Sequence, residues 1–588
     1  MNFNRKLVIN YQRLYGEDKE ITDVSLSALD RSTWAKLLAR LNHLARHNKH
    51  DGVIDVLKTW FSEANQEHAN LLLNRIINSY RDANVHPRQL LTINLWSNLY
   101  LLDKILSTPA DPENRLDDLA SEKELFDIYL AANGLFGAKN DGIFASVPAD
   151  QFPDVVDKLA RVYLTNLLPY HDLNHFNASE LLIAGTIKAY YLFSFLEHGH
   201  GELLRLFLNS YGVENWRDYL KGILPVAIHA TTEGDGSGLN YLDIKDSDNR
   251  ERSKAFLDHL ALVDDIDYKA KTDFLNARSM PLFRTGEDTY LILDPVLAVN
   301  RIYNSAFFEL LRLAERNKNL HPAYREFFSF YTFDFIEKHL SYTLLNKIFG
   351  RTSYYRLSGA DIVQRFGLDT EPDYYVRNGH KVFLFEVKGS ILTGEAKQSF
   401  NYPFVAKELR KKYVHDDEEN DNKAVKQLAE RIEYLFSSAD GYDRQRQPAK
   451  LRIFPILLVS ELALTTPGVN VVLNDWFQEE IESRETLRVN KARIFPLVIL
   501  DFDTLILYSE EFEANRGQFE ESLLAYYAAI NRNKIKPKHG VRPTEDYLEK
   551  LMLNSFQPYN GFLHDFSKLR TPKLFMEFGE DLLKPGKA

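Results

Sequence analysis

Apolar positions recur at three- and four-residue steps through the first 230 residues, the pattern of helices that bury one stripe. Over 32–44, for example, Trp34, Leu37, Leu38, Leu41 and Leu44 fall on one face. Similar stripes predict helices over 53–61, 71–80, 90–106, 125–135, 155–168 and 181–196. They follow no fixed period, so the pattern is that of an irregular helical domain and not of a solenoid. Thr231-Thr-Glu-Gly-Asp-Gly-Ser-Gly238 interrupts it as a loop or hinge, and 255–263 predicts one more helix.

The texture changes near residue 279. Residues 280–294 predict two short strands about Gly286-Glu-Asp288, followed by helix over 295–314. An aromatic, apolar helix is predicted over 324–349, with Glu337 on its less apolar side, and an irregular first strand over 354–366. Two strand-like runs then flank Asn378-Gly379, a strong signal for a two-residue hairpin loop. With those two residues as the loop, Arg377 pairs with His380, Tyr375 with Val382 and Asp373 with Leu384. Alternation puts Asp373, Leu384, Glu386 and Lys388 on one face, and Phe383, Phe385 and Val387 on the other, toward a core. Asp373 and Glu386 become diagonal neighbours with Cβ atoms roughly 7 Å apart or less. Two acids so placed can share one small cation, and Lys388 points at the same place.

Beyond a basic stretch at 407–412 and an acidic one at 416–419, a helix is predicted over 423–436 with Val425, Leu428, Ile432 and Leu435 inward. Gln427 and Arg431 lie one turn apart on it. The apolar runs 451–460 and 493–501 read as buried strands, and the chain from 511 reads as helix, loop and a polar tail.

Pro372, Asp373, Glu386 and Lys388 together resemble the PD-(D/E)xK nuclease superfamily, whose sites set an Asp on one strand beside Glu-x-Lys on the next. The order helix, strand, hairpin, helix, strand over about 330–510 is the order this family requires. The resemblance implies a restriction-endonuclease-like α/β domain with a central mixed sheet. It implies Mg²⁺ (or Mn²⁺) on Asp373, Glu386 and the Val387 carbonyl, hard oxygen donors of the kind this cation takes. Lys388 would orient or deprotonate the attacking water, and the product would carry a 5′-phosphate. The resemblance also makes Glu337 an additional acid from the preceding helix and Gln427 a glutamine facing the site. The plainer alternative is that Glu386 and Lys388 form an ion pair on a solvated sheet surface, with Asp373 an ordinary turn residue.

At 588 residues the chain exceeds one core. The expected division is a helical domain at 1–278 for sensing, partner binding or assembly, and a connector with a short hairpin and helix at 279–325. A nuclease-like domain at 326–510 and a helical and loop extension at 511–588 complete it. The excess of 83 acidic over 72 basic residues, a net charge of −11, argues against a constitutive nucleic-acid coat. It is compatible with a local basic groove and a low resting affinity. The absence of cysteine excludes disulfides, zinc ribbons, iron–sulfur clusters and cysteine nucleophiles, so a metal must be held by oxygen or histidine. No apolar run reaches the ~18 residues of a membrane span, and the start shows no signal-peptide pattern. The expectation is an intracellular, cytoplasmic protein.

Three other constellations read as structural. His171 and His175 have the spacing of a metal pair but no neighbouring Glu, which favours a capping or surface role. His198-Gly-His200-Gly-Glu202 reads as a helix C-terminus, and Asp501-Phe-Asp503 as a strand end. No Walker P-loop and no Gly-x-Ser-x-Gly elbow occurs. The expected function is therefore metal-dependent phosphodiester hydrolysis, of DNA in preference to RNA. The layout is similar to that of anti-phage nuclease effectors and restriction-like enzymes of prokaryotes, with a homo-oligomer or an activating partner engaged through the helical domain. The alternative is a catalytically inactive nuclease fold that binds nucleic acid or acts as a scaffold.

Overall fold

The predicted stripes become helices, and short polar residues close many of their ends. Asp154 accepts from the Val156 and Asp157 N–H groups to start Val155–Leu167, and Asn94 accepts from Ser97 to start Leu95–Ser107. The computed structural model describes residues 7–583 apart from 28, 47–51, 84–85, 110–115, 149, 153, 175–176, 233–237, 248, 265, 267, 270, 320, 369–370, 438–440, 445, 516 and 532–544. The loop expected at 231–238 lies mostly outside the described residues, as does His175. The chain divides into two compact units, 1–142 with 173–189 and 196–313, and 143–172 with 190–195 and 314–588.

In the first unit the helix Arg31–Arg46 buries Trp34, Leu38 and Leu41. Its Asn42 bridges the Leu293 carbonyl and Asn98, which in turn accepts from Tyr129, so the buried amides are paired across elements. The unit also carries a four-stranded sheet in the order Tyr241–Asp243, Thr289–Ile292, Leu282–Arg284, Ala261–Leu262. The stretch from 279, expected as a connector, contributes to this sheet. Its hairpin supplies the two central strands of this sheet, and Leu282, Tyr290 and Leu291 are fully buried there. The stripe expected to begin a helix at Leu90 instead starts with a short strand, Leu90–Leu91, parallel to Leu7–Val8.

The second unit is built on a mixed five-stranded sheet. Its strands are β1 (Tyr355–Ser358), β2 (Tyr374–Asn378), β3 (Lys381–Lys388), β4 (Arg452–Val459) and β5 (Val498–Asp501), in the order β5-β4-β3-β2-β1. β1–β2 and β2–β3 are antiparallel, while β3–β4 and β4–β5 are parallel. The first strand is shorter than expected because Ser358 forms a capping box with Asp361, which turns the chain into the helix Gly359–Phe366. β3 is central and buried on both faces, as parallel pairing under crossover helices requires. Phe383 and Phe385 pack against Phe519 of the helix Gln518–Ile530, and Phe385 also against Phe349. The helix Gln518–Ile530, from the expected extension, thus contributes to this core. The opposite face is covered by the helix Ala424–Ser437, which buries Val425, Leu428, Ile432 and Leu435 as expected. The basic stretch lies within the helix Tyr402–Tyr413, where Lys411 pairs with Glu418 of the acidic turn. Among the described residues no helix is long and apolar enough to cross a membrane.

Candidate active site

The hairpin turn sets the register of the site. The two central residues are Gly379 and His380, not Asn378 and Gly379, and Asn378 pairs with Lys381, Arg377 with Val382 and Tyr374 with Phe385. Gly379 has φ 61°, and glycine in the first central place suits a two-residue turn that needs a positive φ there. The pairing expected from sequence is therefore displaced by two residues. A displacement of two preserves every face. It also improves the constellation, since continuing the register by one pair sets Asp373 directly opposite Glu386.

The side chains of this pair are closely held. Glu386, 1% exposed, takes Lys388 Nζ on Oε1 at 2.8 Å and Arg431 Nη1 on Oε2 at 2.5 Å. Arg431 also donates from Nε to the Glu371 carbonyl at 2.6 Å. Asp373 Oδ2 accepts from the Val387 N–H at 2.6 Å. Glu337 joins from the helix before the sheet, where the Gly389 N–H approaches Oε1 at 3.5 Å. The solvated surface pair is excluded, because these groups lie at the covered carboxyl end of a central strand. Ligand sites of parallel sheets form at that end.

The helix carrying Glu337 is unusual. Between Phe327–Ser329 and Ser341–Phe349 it runs as a π-helix over Phe330–Leu340, a form found mostly as short bulges at functional sites. Its Phe330 and His339 stack on Phe195. Thr332 leaves no room beyond Gly389, since a Cβ there would lie 2.9 Å from the Thr332 Cα and Cβ. Gly389→Ala is expected to push the π-helix off the strand end and to cost about 1–3 kcal/mol, measured by urea unfolding. A variant as stable as wild type would contradict this close approach.

Charge in the site is unevenly shared. Burial, and next the Glu386 charge, push the Asp373 carboxyl up to about 8. Burial and Glu386 also raise Glu337, against the opposing effect of Lys388. Burial works against the Lys388 ammonium, yet Glu386, Asp373 and Glu337 outweigh it and hold its pKa above the usual lysine value. Lys388 is therefore a charged donor here and not a ready base. A raised carboxyl stabilises the fold while it keeps its proton, and that contribution is complete below its ordinary value near 3.8 and lost as pH rises through about 8. Asp373→Asn, which does not titrate, is expected to gain melting temperature relative to wild type progressively from pH 5 to pH 9 in a chelator. Parallel curves for the two proteins would mean that Asp373 ionises at an ordinary pH.

The structure thus brings Asp373, Glu386, Lys388 and Glu337 together. Gln427 lies on the helix over the site, but among the described residues no hydrogen bond joins it to either acid, and its Oε1 is buried without a partner. Arg431, one turn further on, makes the contact instead, and its spacing from Gln427 was the only sequence signal for it. Glu371, whose buried Oε2 has no partner among the described residues, is a second residue the sequence did not single out. Among the described residues no group of three His, Asp or Glu side chains is assembled as a metal cage. The donor chemistry nevertheless suits a hard cation, with the Asp373, Glu386 and Glu337 carboxylates acting on one another and Asp373 raised by burial and like charge.

The other histidine and acid constellations take structural roles. His171 Nε2 is hydrogen-bonded to Thr465 Oγ1 at 3.0 Å. His200 separates the helices Ala178–Gly199 and Gly201–Ser210. Asp501 ends β5 and caps the helix Phe502–Leu507 through Thr504, which takes Asp503 off the strand altogether. No family model, no curated protein and no solved structure matches the chain.

Proposed function

We propose that the second unit is a divalent-cation-dependent phosphodiesterase of restriction-endonuclease-like fold, acting on nucleic acid and on DNA in preference to RNA. The observation that carries this reading is the convergence at one strand end of Asp373, which accepts from the Val387 N–H, with Glu386 and the Lys388 ammonium 2.8 Å from it. A hard dication bound there supplies charge neutralisation at the phosphate and a more acidic water. Asp373 and Glu386 are the residues that would hold it, with Glu337 available as a further carboxylate. Lys388, a buried and charged donor, orients the attacking water or a phosphate oxygen and balances the charge that develops. The order of the five strands, with an antiparallel trio continued by two parallel strands, is compatible with that fold. The net charge of −11 and the internal pairing of Lys411 favour activation by assembly or by a partner over constant DNA binding.

The test is incubation of the full chain with supercoiled plasmid, linear duplex, single-stranded DNA and RNA, in Mg²⁺ or Mn²⁺. Cleavage of any of these, abolished by chelator, supports the reading and names the substrate. No cleavage together with no Mn²⁺ binding would sink it. One observation favours a second reading, a scaffold that keeps the fold without the reaction: both Glu386 oxygens are already taken by internal cations. A scaffold binds nucleic acid or protein equally well with and without Asp373, whereas the nuclease does not cut without it.

A further inference from the structure

Resting on the cation-dependent reading above, we propose that Arg431 is a displaceable internal cation. It occupies the Glu386 oxygen that a divalent ion takes, and it transfers to the Glu371 carboxylate when that ion binds.

A carboxylate has two oxygens, and those of Glu386 are held by Lys388 at 2.8 Å and Arg431 at 2.5 Å. Glu386 offers an oxygen to an incoming ion most readily if one partner gives way. Lys388 is confined, since it sits two residues along the same strand and is attracted by Glu386, Asp373 and Glu337 together. Arg431 has somewhere to go. Its Nε already holds the Glu371 carbonyl at 2.6 Å, and the carboxylate of that same residue has a buried oxygen, Oε2, with no partner among the described residues. The Glu371 charge also acts on the guanidinium, after those of Glu386 and Asp373.

A guanidinium carries five donors in a planar fork, so Nε can keep its carbonyl while the Nη groups exchange one carboxylate for another. An ammonium has no such fork. The exchange leaves the total of paired carboxylates higher than before, because Glu371 gains a partner and Glu386 gains the dication. Arg431 acts through Glu386, as a positioning residue that keeps the acid ordered without metal and yields it with metal. Glu371 directly precedes Pro372 and Asp373, so the exchange also links the cation site to the chain entering β2.

The test is Mn²⁺ binding to the full chain, followed by the loss of the free-ion paramagnetic resonance signal, with no nucleic acid present. Arg431→Gln is expected to bind Mn²⁺ about tenfold more tightly than wild type, since a unit charge is removed from beside the site. Glu371→Gln should weaken binding about threefold in wild type and have no effect in the Arg431→Gln background, the signature of a residue acting through another. Equal or weaker binding by Arg431→Gln overturns the displacement. An equal effect of Glu371→Gln in both backgrounds overturns the second position. Should Arg431→Gln fail to fold, Arg431→Lys removes the fork and keeps the charge, and Glu371→Gln is expected to lose its effect there as well. Binding by wild type that is lost in Asp373→Asn but unchanged in Arg431→Gln rejects only this proposal. Binding by none of the proteins rejects the cation-dependent reading itself.

Discussion

Lys388→Ala is expected to lower cation-dependent cleavage by roughly 10²–10⁴-fold, the usual range for loss of a positioned proton donor or acceptor. Asp373→Ala is expected to remove it. The size follows from the surroundings of the amine. Lys388 is 14% exposed, lies 2.8 Å from Glu386 and is held charged by three acids, so neither water nor a neighbouring lysine replaces it. A group that acts on the water or the phosphate as charge develops changes kcat and leaves KM near its original value. Lys388→Arg should not rescue the rate, because a planar fork does not reproduce a compact ammonium. Single-turnover cleavage by variants of unchanged melting temperature is the measurement. Wild-type rates in Lys388→Ala would move the chemistry elsewhere in the protein.

Glu386→Ala carries the largest expected effect on stability. It removes the carboxylate that two cations share at 1% exposure, and leaves Lys388 and Arg431 facing each other without the acid that bonds both. Breaking a buried pair from one side costs about 3–5 kcal/mol, mostly from the charge left behind. Glu386→Gln should cost less, since its amide oxygen still accepts from one of the two cations. Asp373→Asn contrasts with both, as it removes a carboxyl that is itself disfavoured when charged. Urea unfolding of the three variants in chelator at neutral pH separates these cases. A loss below about 1 kcal/mol in Glu386→Ala would describe a solvated surface pair and not a buried one.

The site is legible in the sequence where side-chain periodicity alone decides it. Alternation along β3 puts Glu386 and Lys388 together and Phe383 and Phe385 opposite, and a register error of two residues leaves both statements intact. An error of one would destroy them. What the pattern does not show is the cover. Glu386 reads as one polar position on a strand, and only the fold reveals that the 424–437 helix lies over it and lends Arg431. Ser358 and Asp361 stand at the spacing of a capping box, yet the apolar residues around them read as a continuing strand. The hairpin at 280–292 is plain as an element but looks like a spacer, because pairing with distant strands leaves no local trace.

The π-helix has a consequence for the length of the chain. Each of its turns takes more than the 3.6 residues of an ordinary helix, so the segment behaves as an α-helix with surplus residues absorbed by its packing. Removing one residue from 330–340 takes up part of that surplus, so the segment tightens toward the regular form while the positions beside the deletion shift by roughly 100° about the axis. Glu337, inside the segment, would turn away from the strand end, while Phe349 beyond it keeps its place against Phe385. A one-residue deletion there is therefore predicted to be more harmful than most point substitutions in the same helix. Chains of this architecture should accordingly vary in the identity of residues 330–340 more freely than in their number.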